Sequence, residues 1–247
     1  MPALPLPTSL YTDTAHPAPL TPSLDTDRTV SVAIIGAGFA GLSAALHLAE
    51  MGVDVCALEA NEPGWGASGR NGGQVNPGLK FNPDELLVRF GGDLGQRMID
   101  MAWSAPAFTF DLISRLSIDC DARQNGTLRA ATNTRTAKIV ETTAVQCAAH
   151  GMPTRLLDAR ETTLATGTDR YPAALFDPRG GDLHPLNYTR GLAAAAQMPA
   201  HRSMAIAVLS RLESNLESGF CTRTERLLRQ INCLSLQMHT RTGSGLT

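Results

Sequence analysis

A glycine-rich turn separates an apolar segment from a helical pattern near the start of this 247-residue chain. Gly36, Gly38 and Gly41 form the pattern Gly-x-Gly-x-x-Gly, and Glu59 follows at about the 20-residue distance typical of dinucleotide sites. Glycines so spaced allow a tight turn, close approach of a diphosphate to the backbone and close helix packing. A helix N-terminus attracts phosphate, and an acid at a strand end can accept hydrogen bonds from a ribose. These residues predict an adenine-dinucleotide site.

The residues around this turn predict the elements that would position it. Apolar residues 32–35 predict a strand, and the apolar face of residues 42–48 is typical of a helix that ends at Gly52. Residues 53–59 predict a second strand with Glu59 at its end. Since strand, helix and strand occur in this order, we expect an α/β fold with a parallel sheet.

Two other interpretations of this segment exist. The glycines could belong to a loop of an ordinary α/β protein, with Glu59 merely solvated. Residues 29–49 lack Asp, Glu, Lys and Arg and reach the length of a membrane span. Three glycines, Ser43 and His47 lower the hydrophobicity, and the Pro- and Thr-rich segment before them lacks the basic flank of a signal or anchor. We therefore expect no membrane span.

Composition narrows the class of protein. A length of 247 residues with 43% hydrophobic residues suits a globular protein of one or two domains, and a net charge of −2 gives no attraction to nucleic acid or acidic lipid. The cysteines are odd in number and form no Cys-x-x-Cys pair, so we expect a reducing cytosol and no metal site. Cys56 falls inside the second predicted strand, where a small buried group is expected. The cysteines are Cys56, Cys120, Cys147, Cys221 and Cys233.

Helical patterns return after a glycine-rich loop over residues 61–78. Asn82, with Pro83 at the next position and Glu85 three residues on, predicts a capped helix. A second helix is expected over residues 94–116, with a possible kink at Pro106. The side chains expected to face inward from this helix are Met98, Met101, Ala102, Phe108 and Leu112.

Asn125 and Gly126 are typical of a two-residue hairpin turn. They lie between residues 118–123 and 127–132, which we therefore expect to pair as strands. A helix is expected over residues 136–149, because Gly151 follows as a stop signal.

The last part of the chain has weaker patterns. Residues 171–177 predict a strand, and Pro185 opens a helix near Leu186. No Val- and Ile-rich strand is evident after that helix, although a doubly wound sheet requires one. Residues 206–216 show only an irregular helical period.

The loop GWGASGRNGGQ, residues 64–74, carries a more specific resemblance. Together with the first glycine pattern, it resembles the FAD-dependent oxidoreductases of the D-amino-acid-oxidase-like superfamily, and within it the gamma-glutamylputrescine oxidoreductase type. Residues 182–196 also resemble the segment in which this family returns from its substrate domain to its flavin domain. The resemblance covers residues 30–196 and is most specific over residues 30–80.

The resemblance implies FAD as cofactor and gives roles to particular residues. The first three glycines would cradle the diphosphate, Glu59 would hold the adenosine ribose, and residues 68–73 would line the diphosphate and the approach to the isoalloxazine. Arg70 could instead be a surface cation, and Asn71 and Gln74 could serve only the turn. The residues expected to bind the cofactor are Gly36, Gly38, Phe39, Ala40, Gly41, Glu59, Ala60, Ala67, Ser68, Arg70, Asn71, Gly72, Gly73 and Gln74.

The implied fold is a Rossmann-like FAD-binding domain with a parallel sheet, plus part of an α+β substrate domain. We expect the FAD-binding domain over residues 29–81 and 180–197 and the partial substrate domain over residues 82–179. Residues 1–28, rich in Pro, Thr and Ser, are expected to be a disordered extension, and residues 198–247 an atypical tail.

The implied reaction removes hydride from a carbon that bears an amine. The expected partners are an amine or amino-acid substrate, such as gamma-glutamylputrescine, and an electron acceptor, either dioxygen or another compound. Neither nucleic acid nor membrane is expected as a partner. His184 lies where acid–base chemistry is conceivable, but we expect a packing or capping role for it. His47 is expected to be structural, and no catalytic residue is assigned.

Members of this family are considerably longer, and the residues after about 197 do not resemble them. We therefore expect a truncated product, such as one from a shifted reading frame. Three alternatives remain: an NAD(P)-dependent dehydrogenase, a non-catalytic dinucleotide-binding remnant, and a structural or interaction protein. The GASGRNGGQ loop argues against the first of these.

Overall fold

The computed structural model of the chain describes residues 4–24, 29–197 and 204–208, and of the last range only Ile206 with its side chain. The helices are α1 (Leu10–Thr14), α2 (Phe39–Glu50), α3 (Pro83–Phe90), α4 (Gly92–Arg115), α5 (Thr134–Ala149), α6 (Ala159–Thr166) and α7 (Pro185–Ala196). The strands are β1 (Val32–Ile35), β2 (Val55–Glu59), β3 (Gln74–Val75), β4 (Thr127–Ala130), β5 (Arg155–Leu157), β6 (Ala174–Asp177), β7 (Gly181–Asp182) and β8 (Met204–Val208). They form two compact units, Met1–Asn71 with Pro185–Thr247, and Gly72–His184.

The first unit contains a parallel sheet in the order β1-β2-β8. Val55 of the central strand lies opposite Val32 on one side and Met204 on the other. The expected α/β fold with a parallel sheet is therefore confirmed. The expectation that no strand follows the helix at Pro185 is wrong, because β8 adds a neighbour to β2 and buries Ile206 to 1% exposure.

Helix α2 connects β1 to β2 as the sequence predicts. Leu42 and Leu46 of this helix are fully buried, while β2 is buried from Val55 to Leu58. The helix ends at Glu50, and Gly52 adopts a φ of +78° that favours glycine. This strand–helix–strand unit fixes the turn between β1 and α2.

The N-terminal residues 4–24 contain regular structure and contacts rather than the expected disorder. Ser9 caps the short helix α1 by accepting a hydrogen bond from the Thr12 N–H. The main-chain N–H of Leu4 donates to Asn61 Oδ1 over 2.9 Å, and Leu24 packs beside the cluster that contains Cys56. The expectation of disorder is wrong for these residues because the segment forms specific contacts within the first unit.

The second unit combines helices with an antiparallel sheet in the order β4-β6-β5. Its helix α3 begins where the capping pattern predicts, since the Asn82 N–H donates to Glu85 Oε2 over 2.9 Å. Helix α4 is one helical element with Pro106 inside it. Helix α5 forms over the predicted residues and packs on the sheet through Val140.

Three expectations for the second unit are wrong. No hairpin forms at Asn125 and Gly126: β4 pairs with β6, and Arg123 forms a bridge with Asp182. Gly126 still needs glycine, with a φ of +89° and an N–H that donates to Gly180 O. Met101 and Phe108 of α4 are 67% and 52% exposed, so they do not face inward. Ile99 and Trp103 of that helix are buried instead.

Some sequence expectations concern residues that the structure does not describe. Apart from residues 204–208, the expected atypical tail 198–247 lies outside the described residues, as do Cys221 and Cys233. Among the described residues, no helix has the length and apolar character that crossing a bilayer requires.

Candidate dinucleotide site

The turn between β1 and α2 needs glycine at two positions for different reasons. Gly36 has a φ of +99°, and its N–H donates to Leu58 O over 2.7 Å, which joins the ends of β1 and β2. A Cβ on Gly41 would lie 2.0 Å from Gly36 O and 3.3 Å from Ile34 Cγ2, so a side chain there would push the helix away from the strand. A tight turn and close helix packing are both present.

The start of α2 is capped by a residue from another part of the chain. The Phe39 N–H donates to Ser68 Oγ over 3.0 Å, and a Cβ on Gly38 would lie only 2.7 Å from that oxygen. A helix cannot pair its own first N–H groups, which here belong to Phe39, Ala40 and Gly41. Ser68 therefore meets the helix N-terminus where the sequence predicts a phosphate-binding position.

At the end of β2, both carboxylate oxygens of Glu59 accept hydrogen bonds from main-chain N–H groups. Oε2 accepts a hydrogen bond from the Ala37 N–H over 2.8 Å, while Oε1 accepts from the N–H groups of Ala60 and Asn61 over 2.9 and 3.2 Å. The carboxylate thus lies against the glycine-rich turn, as a residue that contacts a nucleotide there must.

The loop after β2 contains a 3₁₀ helix, Ala67–Gly69, in place of the uniform loop that the sequence suggests. Asn71 stabilises it, because its Nδ2 donates to Ala67 O over 3.2 Å and to Ser68 O over 2.9 Å. The exposed guanidinium of Arg70 lies 4.8 Å from the centre of the Trp65 ring, and its Nε donates to Gly66 O.

Helix α7 packs against this loop, and local sequence patterns did not predict that contact. A Cβ on Gly69 would lie 2.8 Å from Leu186 Cδ1, and one on Gly64 would lie 3.1 Å from Thr189 Cβ. The rings of Phe39 and Tyr188 lie 5.2 Å apart at 51°. Pro185 indicates where α7 begins. The spacing of residues along the sequence cannot show which segment this helix packs against.

The structure therefore brings together, within the first unit, the predicted residues from three segments, 36–41, 59–60 and 67–71. Gly72, Gly73 and Gln74 fall in the second unit. There Gln74 pairs with Asp182 across β3 and β7, and Gly73 O accepts a hydrogen bond from the Leu183 N–H over 2.9 Å. Their predicted contact with the cofactor stays a prediction.

Open backbone at the turn and the loop suits an anionic ligand. A Cβ on Gly36 or on Gly66 would meet no atom within 4 Å, so a bulky group can approach the main chain at both positions. The N–H groups and the dipole at the α2 N-terminus favour negative charge. These residues fit a dinucleotide diphosphate, and Glu59 fits a ribose.

A separate cavity of about 410 Å³ lies in the second unit. Its volume is within the range of small-molecule sites, and its lining includes polar groups such as Asn76 and Thr143 together with the rings of Phe81 and Trp103. No motif indicated it, because the lining comes from several segments far apart in sequence.

Titratable side chains offer little for acid–base chemistry among the described residues. His47 Nδ1 lies 2.7 Å from Ser43 O in the same helix, a structural contact as expected. His184 is 8% exposed, and its main-chain N–H donates to Cys120 O over 2.7 Å. Burial raises the pKa of Cys120 to about 11, and it also raises the pKa of Cys147. Thiols with raised pKa are poor nucleophiles.

No group of three or more His, Cys, Asp or Glu residues in the described part of the chain could hold a metal ion. Cys56 is buried in β2 and Cys147 in α5, as small apolar groups are.

Comparison with known proteins agrees with the glycine-rich site. The sequence profile of the family described as FAD dependent oxidoreductase, DAO, matches residues 31–200. Gamma-glutamylputrescine oxidoreductase of Escherichia coli (strain K12) is 34% identical over 191 residues, which cover 77% of this chain and 45% of that protein. The chain therefore spans less than half the length of this curated relative.

Solved structures show the same fold at lower identity. Glycine oxidase from Bacillus cereus matches with a TM-score of 0.58 and 22% identity over 72% of this chain and 46% of that one. L-Amino acid deaminase from Proteus myxofaciens matches with a TM-score of 0.63 and 19% identity over 79% of this chain and 41% of that one.

Proposed function

This chain belongs to the FAD-dependent oxidoreductase family DAO, and from that premise we propose that it binds FAD at the glycine-rich turn of its first unit and takes part in oxidising an amine or amino acid. The observation that carries the proposal is the arrangement of the turn. The backbone at Gly36, just before the α2 N-terminus, is open to a ligand. Glu59 Oε2 lies beside this turn and accepts a hydrogen bond from the Ala37 N–H over 2.8 Å. The specific GASGRNGGQ loop favours FAD over NAD(P).

The proposed roles follow from this geometry. The N–H groups of Gly36, Ala37 and Phe39 donate to Leu58 O, Glu59 Oε2 and Ser68 Oγ and so shape the turn. The main-chain N–H groups of Gly38, Ala40 and Gly41 hold the diphosphate, and the Glu59 carboxylate accepts hydrogen bonds from the adenosine ribose. The Ser68 hydroxyl, which accepts a hydrogen bond from the Phe39 N–H, lies beside the diphosphate. Arg70 adds a charge-assisted bond to it.

When bound, FAD would supply two-electron oxidation of a substrate C–N bond, giving an imine that water would hydrolyse to an aldehyde or keto acid. The protein supplies binding, orientation and electrostatics. The proposed electron acceptor is dioxygen or another compound. A side-chain nucleophile is not required for this reaction.

For the substrate we propose gamma-glutamylputrescine or a related amine. Support comes from the Escherichia coli relative, which is named for this compound, and from structural neighbours named for glycine and L-amino acids.

For the location we propose a reducing cytosol, since Cys56, Cys120 and Cys147 are free thiols.

FAD titration of the purified chain, followed by quenching of flavin fluorescence, tests the cofactor. Saturable binding of FAD, with no comparable binding of NAD(P)H, is the expected result. Anaerobic addition of gamma-glutamylputrescine to the FAD-loaded chain then tests the reaction, because substrate oxidation bleaches the flavin absorbance. Absence of saturable FAD binding would refute the cofactor assignment.

A second candidate function is FAD binding without catalysis. It is favoured by the site itself, in which the turn and Glu59 fit a dinucleotide while no described residue is assigned a catalytic role. In that case FAD binds, but neither gamma-glutamylputrescine nor amino acids reduce it under anaerobic conditions. The two candidates therefore differ in the bleaching experiment alone.

A further inference from the structure

We propose that residues 4–20, called here the N-terminal strap, position the cofactor loop 61–71, with Arg190 as the residue that joins strap, loop and α7. The inference rests on the proposed FAD site and concerns how the chain keeps that site in shape. All of its contacts lie within the first unit.

The strap contacts the first part of the cofactor loop directly. The Leu4 N–H donates to Asn61 Oδ1 over 2.9 Å, and the Trp65 indole Nε1–H donates to Pro5 O over 3.1 Å. Trp65 is also the ring on which the Arg70 guanidinium stacks. The strap therefore holds a side chain that in turn contacts a predicted cofactor-binding residue.

The same strap continues along α7. The His16 N–H donates to Asn187 Oδ1 over 2.8 Å near the start of this helix, and Gln197 Nε2 just after its end donates to Leu20 O over 2.8 Å. Since α7 packs under Gly64 and Gly69, the strap binds both the loop and the helix that supports it.

Arg190 connects these parts through one guanidinium. Nη1 donates to His16 O in the strap, and Nη2 forms an ion pair with Glu62 Oε2 in the loop over 3.1 Å. The side chains of Arg190 and Glu62 are only 12% and 29% exposed, so solvent screens the pair less than a surface pair. A planar guanidinium with several donors suits two partners in different directions, whereas an ammonium is a single point charge.

The buried Nε of Arg190 has no acceptor among the described residues. A buried donor without a partner opposes folding, whereas the bonds at the two terminal nitrogens favour it. Because both terminal nitrogens are bound to His16 O and Glu62, we assign Arg190 as a positioning residue rather than as a contact of the cofactor.

Three variants of the full chain test the proposal: deletion of residues 2–20, Trp65→Phe and Arg190→Lys. Trp65→Phe keeps a smaller aromatic ring for Arg70 and removes the N–H that bonds to Pro5 O. Arg160→Lys, at an exposed position in the other unit, is the matched control for the arginine change. We expect the deletion to raise the Kd for FAD about tenfold and the control to leave it unchanged.

A double variant separates the strap from other effects of Trp65. In the chain that lacks residues 2–20, Trp65→Phe is expected to cause no further loss of FAD affinity, because the bond it removes is already gone. Hydrogen exchange at the amides of residues 61–71 in the FAD-free chain is expected to be faster in all three variants. This second measurement does not depend on a bound cofactor.

Opposite results would overturn the inference without touching the proposed function. If the wild-type chain binds FAD and the deletion binds it equally well, the strap does not position the loop. An equal effect of Trp65→Phe with and without the strap would likewise contradict it. Failure of the wild-type chain to bind FAD would instead contradict the proposed function, and unchanged loop exchange would then also exclude the strap.

Discussion

The Glu59 carboxylate accepts a hydrogen bond from the Ala37 N–H over 2.8 Å, so the end of β2 is tied to the glycine-rich turn that follows β1. Gly36 strengthens this connection, because its N–H donates to Leu58 O. The residue predicted to bind the ribose thus also shapes the turn predicted to bind the diphosphate. Changes at Glu59 must be measured for both effects.

Glu59→Ala is expected to weaken FAD binding by about 1.5–3 kcal/mol, the range for hydrogen bonds to a charged group. Titration of flavin fluorescence gives the affinity, and thermal unfolding of the FAD-free chain reports the structural loss separately. Glu59→Gln keeps one carbonyl oxygen as acceptor and should lose less. Glu141→Gln, at an exposed position of α5, serves as the control. Unchanged FAD affinity in Glu59→Ala would remove this residue from the site.

Gly41→Ala is expected to destabilise the FAD-free chain by about 1–3 kcal/mol, because its Cβ would lie 2.0 Å from Gly36 O and overpack the turn. Gly66→Ala is the matched control: it has a φ of −77°, and its Cβ would meet no atom within 4 Å. Chemical denaturation of both variants gives the comparison. Equal stabilities would contradict the close helix–strand contact.

Ile206→Ala is expected to lower the free energy of unfolding by about 2–5 kcal/mol, as for other fully buried aliphatic side chains. Ile206 is 1% exposed in β8, whereas Leu164 is 78% exposed in α6. Leu164→Ala should therefore change stability by no more than about 0.5 kcal/mol. Denaturant unfolding checks both. A neutral Ile206→Ala would mean that β8 does not complete the sheet.

Cys120 should make the second unit less stable in base. Its pKa is raised from 9.0 to about 11, mainly by burial, with the neighbouring Asp119 and Asp121 adding to the effect and a hydrogen bond with the Ala122 backbone opposing it. Well below pH 9 the thiol is neutral in both the folded and the unfolded chain. As the pH rises from about 9 to about 11 the unfolded chain loses its proton first, so the free energy of unfolding falls. Urea unfolding of Cys120→Ala should show a smaller fall than the wild-type chain over this range; identical falls would refute the shift.

Local patterns predicted much of the fold. The capping residues at Asn82 and the proline at position 185 each mark a helix start at the observed place. The strand–helix–strand unit from Val32 to Glu59 also forms as its glycines and apolar residues indicate. These signals succeed because caps and tight turns depend on hydrogen bonds and φ angles within a few residues.

Local patterns did not predict which strands pair when the strands lie far apart in the sequence. Gly126 has the backbone conformation of a turn, yet β4 pairs with β6 instead of with the segment before the turn. Strand β8 lacked a strong strand pattern, and parallel pairing with β2 stabilises it. Pairing partners are chosen by the burial that the whole sheet allows, which no local pattern encodes.

The sequence alone determined the site's chemistry: glycines where φ must be positive or Cβ would collide, and an acid at a strand end. Only the tertiary structure decided which groups surround it, including Ser68 at the α2 N-terminus, α7 beneath the loop and the strap joined to both by Arg190. The physical reason is how far apart along the chain the interacting residues lie. Turn geometry is fixed by neighbouring residues, whereas contacts between distant segments depend on packing that forms only when the chain has folded.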